Sequence, residues 1–530
     1  MDHNSHADRM SRRGLFKTGT KIAAALGVMD GASLVAKPTP TASAAANIYE
    51  KIGVRPIINC RGTYTIISGS LSLPEVKQAM DDASKHYVHM DELMDGVGAR
   101  LAQLTGAPWG VVTAGCAAAM TGMTAACIAG TDPEKMQRVP YLEGLKSEVI
   151  IPDYSRNVYD HAIRMLGVRV VQVSTKAEFE AAFNERTAMV YILAGPGDDG
   201  PMGTEALSAI ARQKNVPLMV DAAAEMLTIP NLHLGRGASV VGYSGGKCLR
   251  GPQCAGLLLG DKNLLQAAWA NAAPHHAFAR SLKVGKEEIM GMLAAVEVWN
   301  KRDHKAEWAE WQSWLDHIQA QVTKIDGVTT SVIQPDSLSN HAPVLKIQWD
   351  ANKLGITGQE VDHILYNTEP RVAMLSPHGK RPDMMQSSIS VMPYMMMPGD
   401  EKIAAERLYA VLSKPPKFEN PPVPQGQLAE VSGIWEAQVE FARGSGNHTF
   451  YLEQNQSELK GEHRGEFLTA DLHGSVTANE VTFRAVHRYE GTELFYTFSG
   501  KVDGDHMSGT VNLGEYGQAN WQAHRHAYHA

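Results

Sequence analysis

The pattern of hydrophobic and polar positions changes once along the chain, near residue 414. Before that point, apolar runs of strand length alternate with longer segments of helical periodicity, which is typical of α/β proteins with buried parallel strands. The runs that predict strands lie at 149–151, 168–173, 189–193, 218–220 and 240–243, and helical periodicity covers 160–166, 204–214 and 286–325. We therefore predict an α/β fold with a mainly parallel central sheet, a large domain over 47–325 and a small α+β domain over 326–413.

Five prolines within 415–424 indicate a stiff, extended linker, which we place at 414–427. Beyond it, apolar residues recur at every second position, and turn signals at 445–447 and 503–505 separate the runs. The alternating runs include Trp435, Ala437, Val439 and Phe441, then Leu494, Tyr496 and Phe498, then Met507, Val511 and Leu513. This period predicts an antiparallel β-barrel or sandwich over 428–530. Its start, Gly433-Ile434-Trp435, resembles that of lipocalin-like barrels.

The first 46 residues have the order of an export signal. The pair Arg12-Arg13 precedes a weakly apolar, Ala-rich segment, and a run of small residues at 42–46 follows it. That order is typical of a twin-arginine signal peptide. We expect cleavage after Ala44 or Ala46, passage through the twin-arginine export machinery, and a periplasmic or secreted location. Because this route carries folded proteins, it favours a cofactor inserted before export.

Composition excludes several classes of protein. Lys and Arg number 49 against 57 Asp and Glu, a formal charge of −8, so the chain lacks the basic field that holds nucleic acid. The apolar stretch at 22–36 is interrupted by Asp30 and is too short to cross a bilayer, so we predict no membrane span. The five cysteines are odd in number and lack paired metal-ligand spacing, which argues against a disulfide scaffold or a structural zinc site.

The residues that suggest chemistry follow the ends of predicted strands. Asp221 follows the run 218–220 and Lys247 follows the run 240–243. In an open α/β sheet both would face the crevice where ligands bind. Such a pair suits pyridoxal phosphate, because a lysine amine forms a Schiff base with its aldehyde and a carboxylate keeps its ring nitrogen protonated.

A phosphate site is predicted upstream of this pair. Gly115, Cys116 and Ala117 open a helix of small residues, whose free N–H groups suit a phosphate, and Ser244 offers a hydroxyl to the same group. Ser244-x-x-Lys247 also matches the serine–lysine motif of penicillin-recognising enzymes. That alternative requires an S-D-N and a downstream K-T-G, but the sequence has no S-D-N, and its K-T-G at 17–19 lies in the predicted signal.

Seven short motifs between residues 48 and 412 together carry a resemblance to a known family. They are GVRPIIN at 53–59, RGTYT at 61–65, LTGA at 104–107, TAG at 113–115, SGGK at 244–247, GPQ at 251–253 and KVGKEE at 283–288. With them the chain resembles the fold-type I pyridoxal-phosphate enzymes of the selenocysteine synthase (L-seryl-tRNA(Sec) selenium transferase) and D-glucosaminate-6-phosphate ammonia-lyase group. The fold that the resemblance implies is transferase-like, with large and small domains.

The resemblance also implies roles for particular residues. Lys247 corresponds to the Schiff-base lysine and Asp221 to the partner of the pyridine nitrogen. Arg371, in Glu369-Pro370-Arg371, lies where this fold often supplies an arginine to the substrate carboxylate, and His161 is expected against the cofactor ring or the substrate. The phosphate is expected at Gly115, Cys116, Ala117 and Ser244. Because such sites often draw residues from two subunits, a homodimer or larger homo-oligomer is expected.

The function that follows is an exported pyridoxal-phosphate enzyme acting on a small amino acid or amino sugar acid. We favour α,β-elimination of the ammonia-lyase or dehydratase type, with Lys247 removing the α-proton. A racemase, an aminotransferase or a selenium-transferase-like enzyme would use the same residues. An exported, acidic protein meets no aminoacyl-tRNA, so we do not expect selenium transfer itself. In an alternative of another class, the C-terminal β-domain makes the protein a periplasmic ligand-binding module.

Overall fold

The computed structural model describes residues 47–420 and 424–527. The signal peptide predicted for 1–46 lies outside these residues, as do 421–423 of the linker. The chain divides into two compact units, with the boundary between Pro56 and Ile57. In the first unit the described residues form the 3₁₀ turn Glu50–Ile52. The strands and α-helices from Ile58 onward belong to the second unit.

The strands of the second unit form three sheets. The chain order is β1 Ile58–Cys60, β2 Trp109–Thr113, β3 Glu148–Pro152, β4 Arg169–Val173, β5 Thr187–Leu193, β6 Leu218–Asp221, β7 Val240–Ser244, β8 Gly256–Gly260, β9 Thr329–Ile333, β10 Val344–Asp350, β11 Val372–Lys380, β12 Met384–Val391, β13 Gly433–Glu440, β14 Ser445–Asn455, β15 Glu458–Arg464, β16 Thr469–Thr477, β17 Glu480–Tyr489, β18 Thr492–Asp503, β19 His506–Asn512 and β20 Gln518–Arg525.

The first sheet has seven strands in the order β2-β8-β7-β6-β5-β3-β4. From β7 to β4 all neighbours are parallel, and β8 runs antiparallel to both β2 and β7. Strands β3, β6 and β8 are buried along their whole length. A strand covered on both faces needs a continuous apolar sequence, which is why these runs are readable in the chain. The predicted mainly parallel sheet is confirmed.

Helices pack against this sheet and against the next one. They are Pro74–Ser84, Met90–Thr105, Cys116–Ala129, Pro133–Arg138, His161–Arg164, Lys176–Ala181, Thr204–Gln213, Leu232–Gly235, Lys262–Ala270, Lys286–Trp299, His304–Val322, Ala351–Leu354, Gly358–Asn367 and Asp400–Ser413. The single helical stretch predicted at 286–325 is two helices. The second begins at Asp303, whose side chain accepts from the N–H groups of Lys305 and Ala306 and so caps a new helix. No helix in the described ranges combines the length and apolar character needed to cross a membrane.

The second sheet has five strands in the order β1-β11-β12-β10-β9. Strand β1 pairs in parallel with β11, so residues 58–60 join the small domain's sheet although the sequence places them next to the large domain. Local patterns do not report a pairing between strands that lie so far apart in the chain. Cys60, Leu345 and Val372 lie in the core of this sheet and are fully buried.

The third sheet is a closed, antiparallel, eight-stranded barrel formed by β13 to β20. Strand β13 pairs with both β14 and β20, and this double pairing closes the barrel. Inward positions alternate with exposed ones along β13, where Trp435, Ala437 and Val439 are buried. The period-two prediction for 428–530 is therefore confirmed in the described part, and the closure decides between barrel and sandwich.

Candidate active site

Asp221 is the centre of a buried hydrogen-bond network at the carboxyl end of β6. Its side chain is 3% exposed. The Tyr191 hydroxyl donates to Oδ2 over 2.8 Å, while the Ala223 N–H and the Cys116 thiol donate to Oδ1 over 3.0 and 3.4 Å. Burial, and then the charge of Asp221, raises the pKa of both the Cys116 thiol and the Tyr191 hydroxyl. Both groups therefore stay protonated and act as donors to the carboxylate.

The sequence analysis missed the contribution of Tyr191. It lies on β5, next to β6, and is fully buried. Its oxygen also accepts from the Asn157 side chain over 3.1 Å, which links residue 157 to Asp221. A phenol inside a continuous apolar run needs a hydrogen-bond partner in the core, and that was the available signal.

Lys247 lies in the tight turn that follows β7. Asp221 on β6 pairs with Gly242 on β7, so the two predicted residues follow neighbouring strands. The Lys247 side chain is half-buried and has no hydrogen-bond or ion-pair partner among the described residues. Burial raises the pKa of the Cys116 thiol, and the positive charge of Lys247 acts in the opposite direction. The Lys247 amine is therefore close enough to act electrostatically on the Asp221 network.

The turn that carries Lys247 is held by its backbone. The Gly245 N–H donates to the Ala255 carbonyl over 2.7 Å, and the Gly251 N–H donates to the Gly245 carbonyl over 2.8 Å. A Cβ on Gly246 would lie 2.9 Å from the backbone Cα of Gln253, so a larger residue would displace this turn. The motifs SGGK and GPQ therefore pack against each other and fix the backbone position of Lys247.

The start of the helix Cys116–Ala129 is open. Gly115 precedes it with φ of 96°, no side chain caps its first N–H groups, and a Cβ on Gly115 would meet nothing within 4 Å. Thr113 and Ser244 both lie opposite Gly256, on either side of β8, so Ser244 is brought beside this helix start. Free N–H groups with a nearby hydroxyl suit a phosphate.

The backbone and the side chain of Cys116 face different parts of the site. Its backbone N–H belongs to the open helix start, but its thiol points to Asp221 rather than toward a phosphate. Gly242 provides the space, since a Cβ there would lie 3.1 Å from the Cys116 sulfur. Only the backbone of Cys116 and Ala117 is therefore available for the predicted phosphate contact, which stays a prediction.

Two predicted residues lie outside the Asp221 network. The guanidinium of Arg371 stacks on the Tyr366 ring at 4.6 Å, and its Nε donates to the Tyr366 carbonyl over 2.7 Å, so it is anchored in the small domain. His161 is exposed at the start of the short helix His161–Arg164. The roles of Arg371 toward a substrate and of His161 toward a cofactor stay predictions.

The barrel contacts the segment that carries Asn157. Asp160, fully buried, pairs with Arg156 over 2.7 Å and with Arg164 over 2.9 Å. Arg156 also pairs with Glu490, in the turn between β17 and β18. At Gly491, in the same turn, a Cβ would lie 2.1 Å from the Asn157 carbonyl oxygen. This contact between the barrel and the α/β region was not predicted.

Comparison with known proteins agrees with the geometry. No protein-family model matches the chain. It is 28% identical over 376 residues to D-glucosaminate-6-phosphate ammonia lyase of Salmonella typhimurium, covering 68% of this chain and 97% of that protein. It is 31% identical over 302 residues to 5'-C-glycyluridine monooxygenase-decarboxylase of a Streptomyces species, covering 54% and 74%. The chain belongs to the fold-type I pyridoxal-phosphate enzymes.

A solved structure supports the same family. The structure of D-glucosaminate-6-phosphate ammonia-lyase matches with a TM-score of 0.61 at 26% identity, and covers 70% of this chain and 99% of that one. The residues present fit the cofactor of a fold-type I enzyme. Lys247 offers an amine without a partner, Asp221 a buried carboxylate oriented by three donors, and Gly115 an uncapped helix start. The predicted fold and cofactor are confirmed.

Proposed function

We propose that the protein is an exported pyridoxal-phosphate lyase that acts on a small amino acid or amino sugar acid and releases ammonia. The observation that carries the proposal is the pair formed by the partnerless Lys247 amine and the buried Asp221 carboxylate on neighbouring strands. The relative that the chain matches over 97% of its length is an ammonia lyase of an amino sugar acid phosphate. Export is supported by the order of Arg12-Arg13, apolar segment and small residues in the sequence.

Each residue has a part in holding the cofactor and the substrate. Lys247 Nζ would hold the aldehyde carbon of the cofactor, and as a free amine it would accept the α-proton of the substrate. Asp221 keeps a proton on the ring nitrogen of the cofactor. Tyr191 and Cys116 hold the two carboxylate oxygens of Asp221 in place. The phosphate would be held at Gly115, Cys116, Ala117 and Ser244, with His161 beside the cofactor and Arg371 on the substrate carboxylate. When bound, the cofactor supplies an electron sink that makes the α-proton acidic.

Elimination is favoured over the alternatives that share these residues. The α-proton goes to Lys247, the β-substituent departs with its electron pair, and water converts the released enamine to a keto acid and ammonia. Racemisation, transamination and transfer reactions start from the same proton removal. The extensive match to a lyase favours elimination, whereas a selenium transferase of Proteus mirabilis matches at 24% over 58% of its length.

We also propose a homodimer or larger homo-oligomer. Large apolar side chains are exposed within 64–88, directly after the RGTY motif: Ile66 is 82% exposed, Leu71 54%, and Tyr87 fully exposed. Large apolar side chains that are this exposed favour burial against another surface. Light scattering of the purified protein is expected to give a multiple of the mass of one chain. Ile66→Glu is expected to lower the measured mass toward that of a single chain. A monomeric wild type would contradict this assembly.

The proposed reaction is tested by absorbance and product analysis of the purified mature protein. We expect a yellow absorbance band that borohydride abolishes, absent in Lys247→Ala and retained in the control Lys301→Ala. Amino acids and amino sugar acids of both configurations are then screened for paired release of keto acid and ammonia. Colour that survives in Lys247→Ala would overturn the assignment of the lysine. Release of ammonia without keto acid, or racemisation alone, would overturn elimination.

A further inference from the structure

The barrel interior holds three buried histidines that the proposed reaction does not use. His448 on β14, His463 on β15 and His487 on β17 are 6%, 0% and 1% exposed. The ring of Tyr496 lies between 5.1 and 5.7 Å from each of the three imidazoles. On the other side of His463 the interior is filled by aromatic rings such as Phe450 and Phe498. The barrel interior is thus apolar around Phe450 and Phe498 and polar around the three histidines.

The three rings form a hydrogen-bonded chain. His448 Nδ1 lies 2.7 Å from His463 Nε2, and His463 Nδ1 lies 2.8 Å from His487 Nε2. Burial lowers the pKa of all three, most strongly for His463, whose pKa falls to about 2 because its two neighbours also oppose a charge. The rings are therefore neutral, and each has one donor and one acceptor nitrogen.

The two terminal nitrogens of this hydrogen-bonded chain of imidazoles must differ, one being a donor and the other an acceptor. Two hydrogen bonds use two of the three donors and two of the three acceptors, so one donor and one acceptor are left at opposite ends. These ends are His448 Nε2 and His487 Nδ1. His487 Nδ1 is fully buried and has no hydrogen-bond partner in the described part of the chain. A buried polar nitrogen in this state is unfavourable unless a ligand or water reaches it.

A cavity lies beside the histidine chain. Its volume is about 240 Å³, and His448, His463 and His487 all line it. Phe441, Leu468 and Tyr496 supply apolar walls. At its rim, Phe467 is 91% exposed and Glu466 places a negative charge near His448. An apolar pocket with a few convergent polar groups is the usual form of a small-molecule site.

We propose that this cavity binds a small, uncharged molecule with an apolar body and one polar group that both donates and accepts, such as a primary amide or a lactam. Such a group can pair with the unpartnered His487 Nδ1 whether that nitrogen is the donor or the acceptor end of the chain. A carboxylate only accepts, so it can pair with His487 Nδ1 only when that nitrogen carries the proton. The carboxylate of Glu466 also repels anions.

A metal ion fits this arrangement less well. His463 uses both ring nitrogens on its neighbours, so the three imidazoles do not offer three free lone pairs to one point. Within the described residues, no group of histidine, cysteine or carboxylate side chains has the arrangement of a metal site. The inference concerns a site apart from Asp221 and Lys247, and it does not rest on the proposed lyase function.

Benzamide and benzoate make a matched pair of probes for calorimetric titration of the full-length protein near neutral pH. We expect benzamide to bind, benzoate to bind roughly tenfold or more weakly, and benzamide binding to be lost in His487→Phe and in His448→Phe. The control His473→Phe, at an exposed position of β16, should bind as the wild type does. Thermal unfolding of every variant is recorded to verify that the barrel is folded.

Each other outcome overturns the proposal. If benzoate binds as well as benzamide, the donor and acceptor argument is wrong. If benzamide binding survives both His448→Phe and His487→Phe, the site lies elsewhere. If wild type binds no benzamide but binds Zn²⁺ in a manner lost in His463→Phe, the cluster is a metal site, and if it binds neither, the histidines are structural. Loss of fold in one phenylalanine variant leaves the other to decide.

Discussion

Tyr191 and Asp221 lie on adjacent parallel strands, and the phenol donates to the carboxylate over 2.8 Å within the core. The same phenol oxygen accepts from Asn157, so it holds two segments of the site together. The side-chain hydrogen bonds of Tyr191 are to Asp221 and Asn157. Tyr191 is a positioning residue that acts through Asp221.

Tyr191→Phe is expected to weaken cofactor binding while leaving the fold intact. The change removes a hydrogen bond to a charged group, worth about 1.5–3 kcal/mol, so the affinity for pyridoxal phosphate should fall roughly ten- to hundredfold. Reconstitution of the apoprotein, followed by absorbance, measures this affinity. Tyr243→Phe is the matched control, since Tyr243 is equally buried but bonds to Asn231. Equal losses of affinity in both variants would contradict a role through Asp221.

Acid is expected to destabilise the barrel. The folded-state pKa of His463 lies at about 2, below its ordinary value of 6.5, so the unfolded chain binds a proton that the folded barrel does not. This contribution to stability is fully present above about pH 6.5 and falls by about 1.4 kcal/mol per pH unit below it. Thermal unfolding between neutral and mildly acidic pH measures the effect. His463→Phe should flatten the pH dependence, and an unchanged slope would show that His463 is not its source.

That Asp221 and Lys247 follow neighbouring strands could be predicted from the sequence, but the hydrogen bonds within the candidate site could not. Asp221 and Lys247 follow buried apolar runs, and parallel strands deliver such residues to one edge of a sheet. The links from Tyr191 to Asp221 and from His448 to His463 depend on which strands are neighbours and in what register. A one-residue shift would turn those side chains to the opposite face. Local patterns carry no such information, which is also why the pairing of β1 with β11 was not foreseen.

Alkylation is expected to distinguish one cysteine from the rest. Cys254 is exposed, whereas Cys60, Cys116 and Cys248 are buried, and burial raises the pKa of the Cys116 thiol well above its ordinary value. Because the thiolate is the reactive form, iodoacetamide should modify Cys254 first and leave Cys116 unmodified in the folded protein. Intact mass should rise by one adduct, and Cys254→Ser should abolish it. Early modification of Cys116 would show that its thiol is not held against Asp221.

The turn between β17 and β18 is expected to fasten the barrel to the segment that carries Asn157. A methyl group at Gly491 would lie 2.1 Å from the Asn157 carbonyl oxygen and 2.7 Å from Asp160 Oδ2, and backbone cannot yield cheaply there. Gly491→Ala should therefore displace the turn and cost about 1–3 kcal/mol of stability. We expect calorimetry to show the barrel unfolding separately from the α/β region.

Gly491→Ala should also lower the affinity for the cofactor, because Asn157 is hydrogen-bonded to Tyr191 and Tyr191 to Asp221. Glu490→Gln removes the charge that pairs with Arg156 without adding bulk, so a smaller change in the same direction is expected from it. Gly96→Ala, on a helix with nothing within 4 Å of the added carbon, is the control and should leave both measurements unchanged or raise stability slightly. If Gly491→Ala unfolds in one transition with wild-type cofactor affinity, the barrel is attached by other contacts and does not support the site.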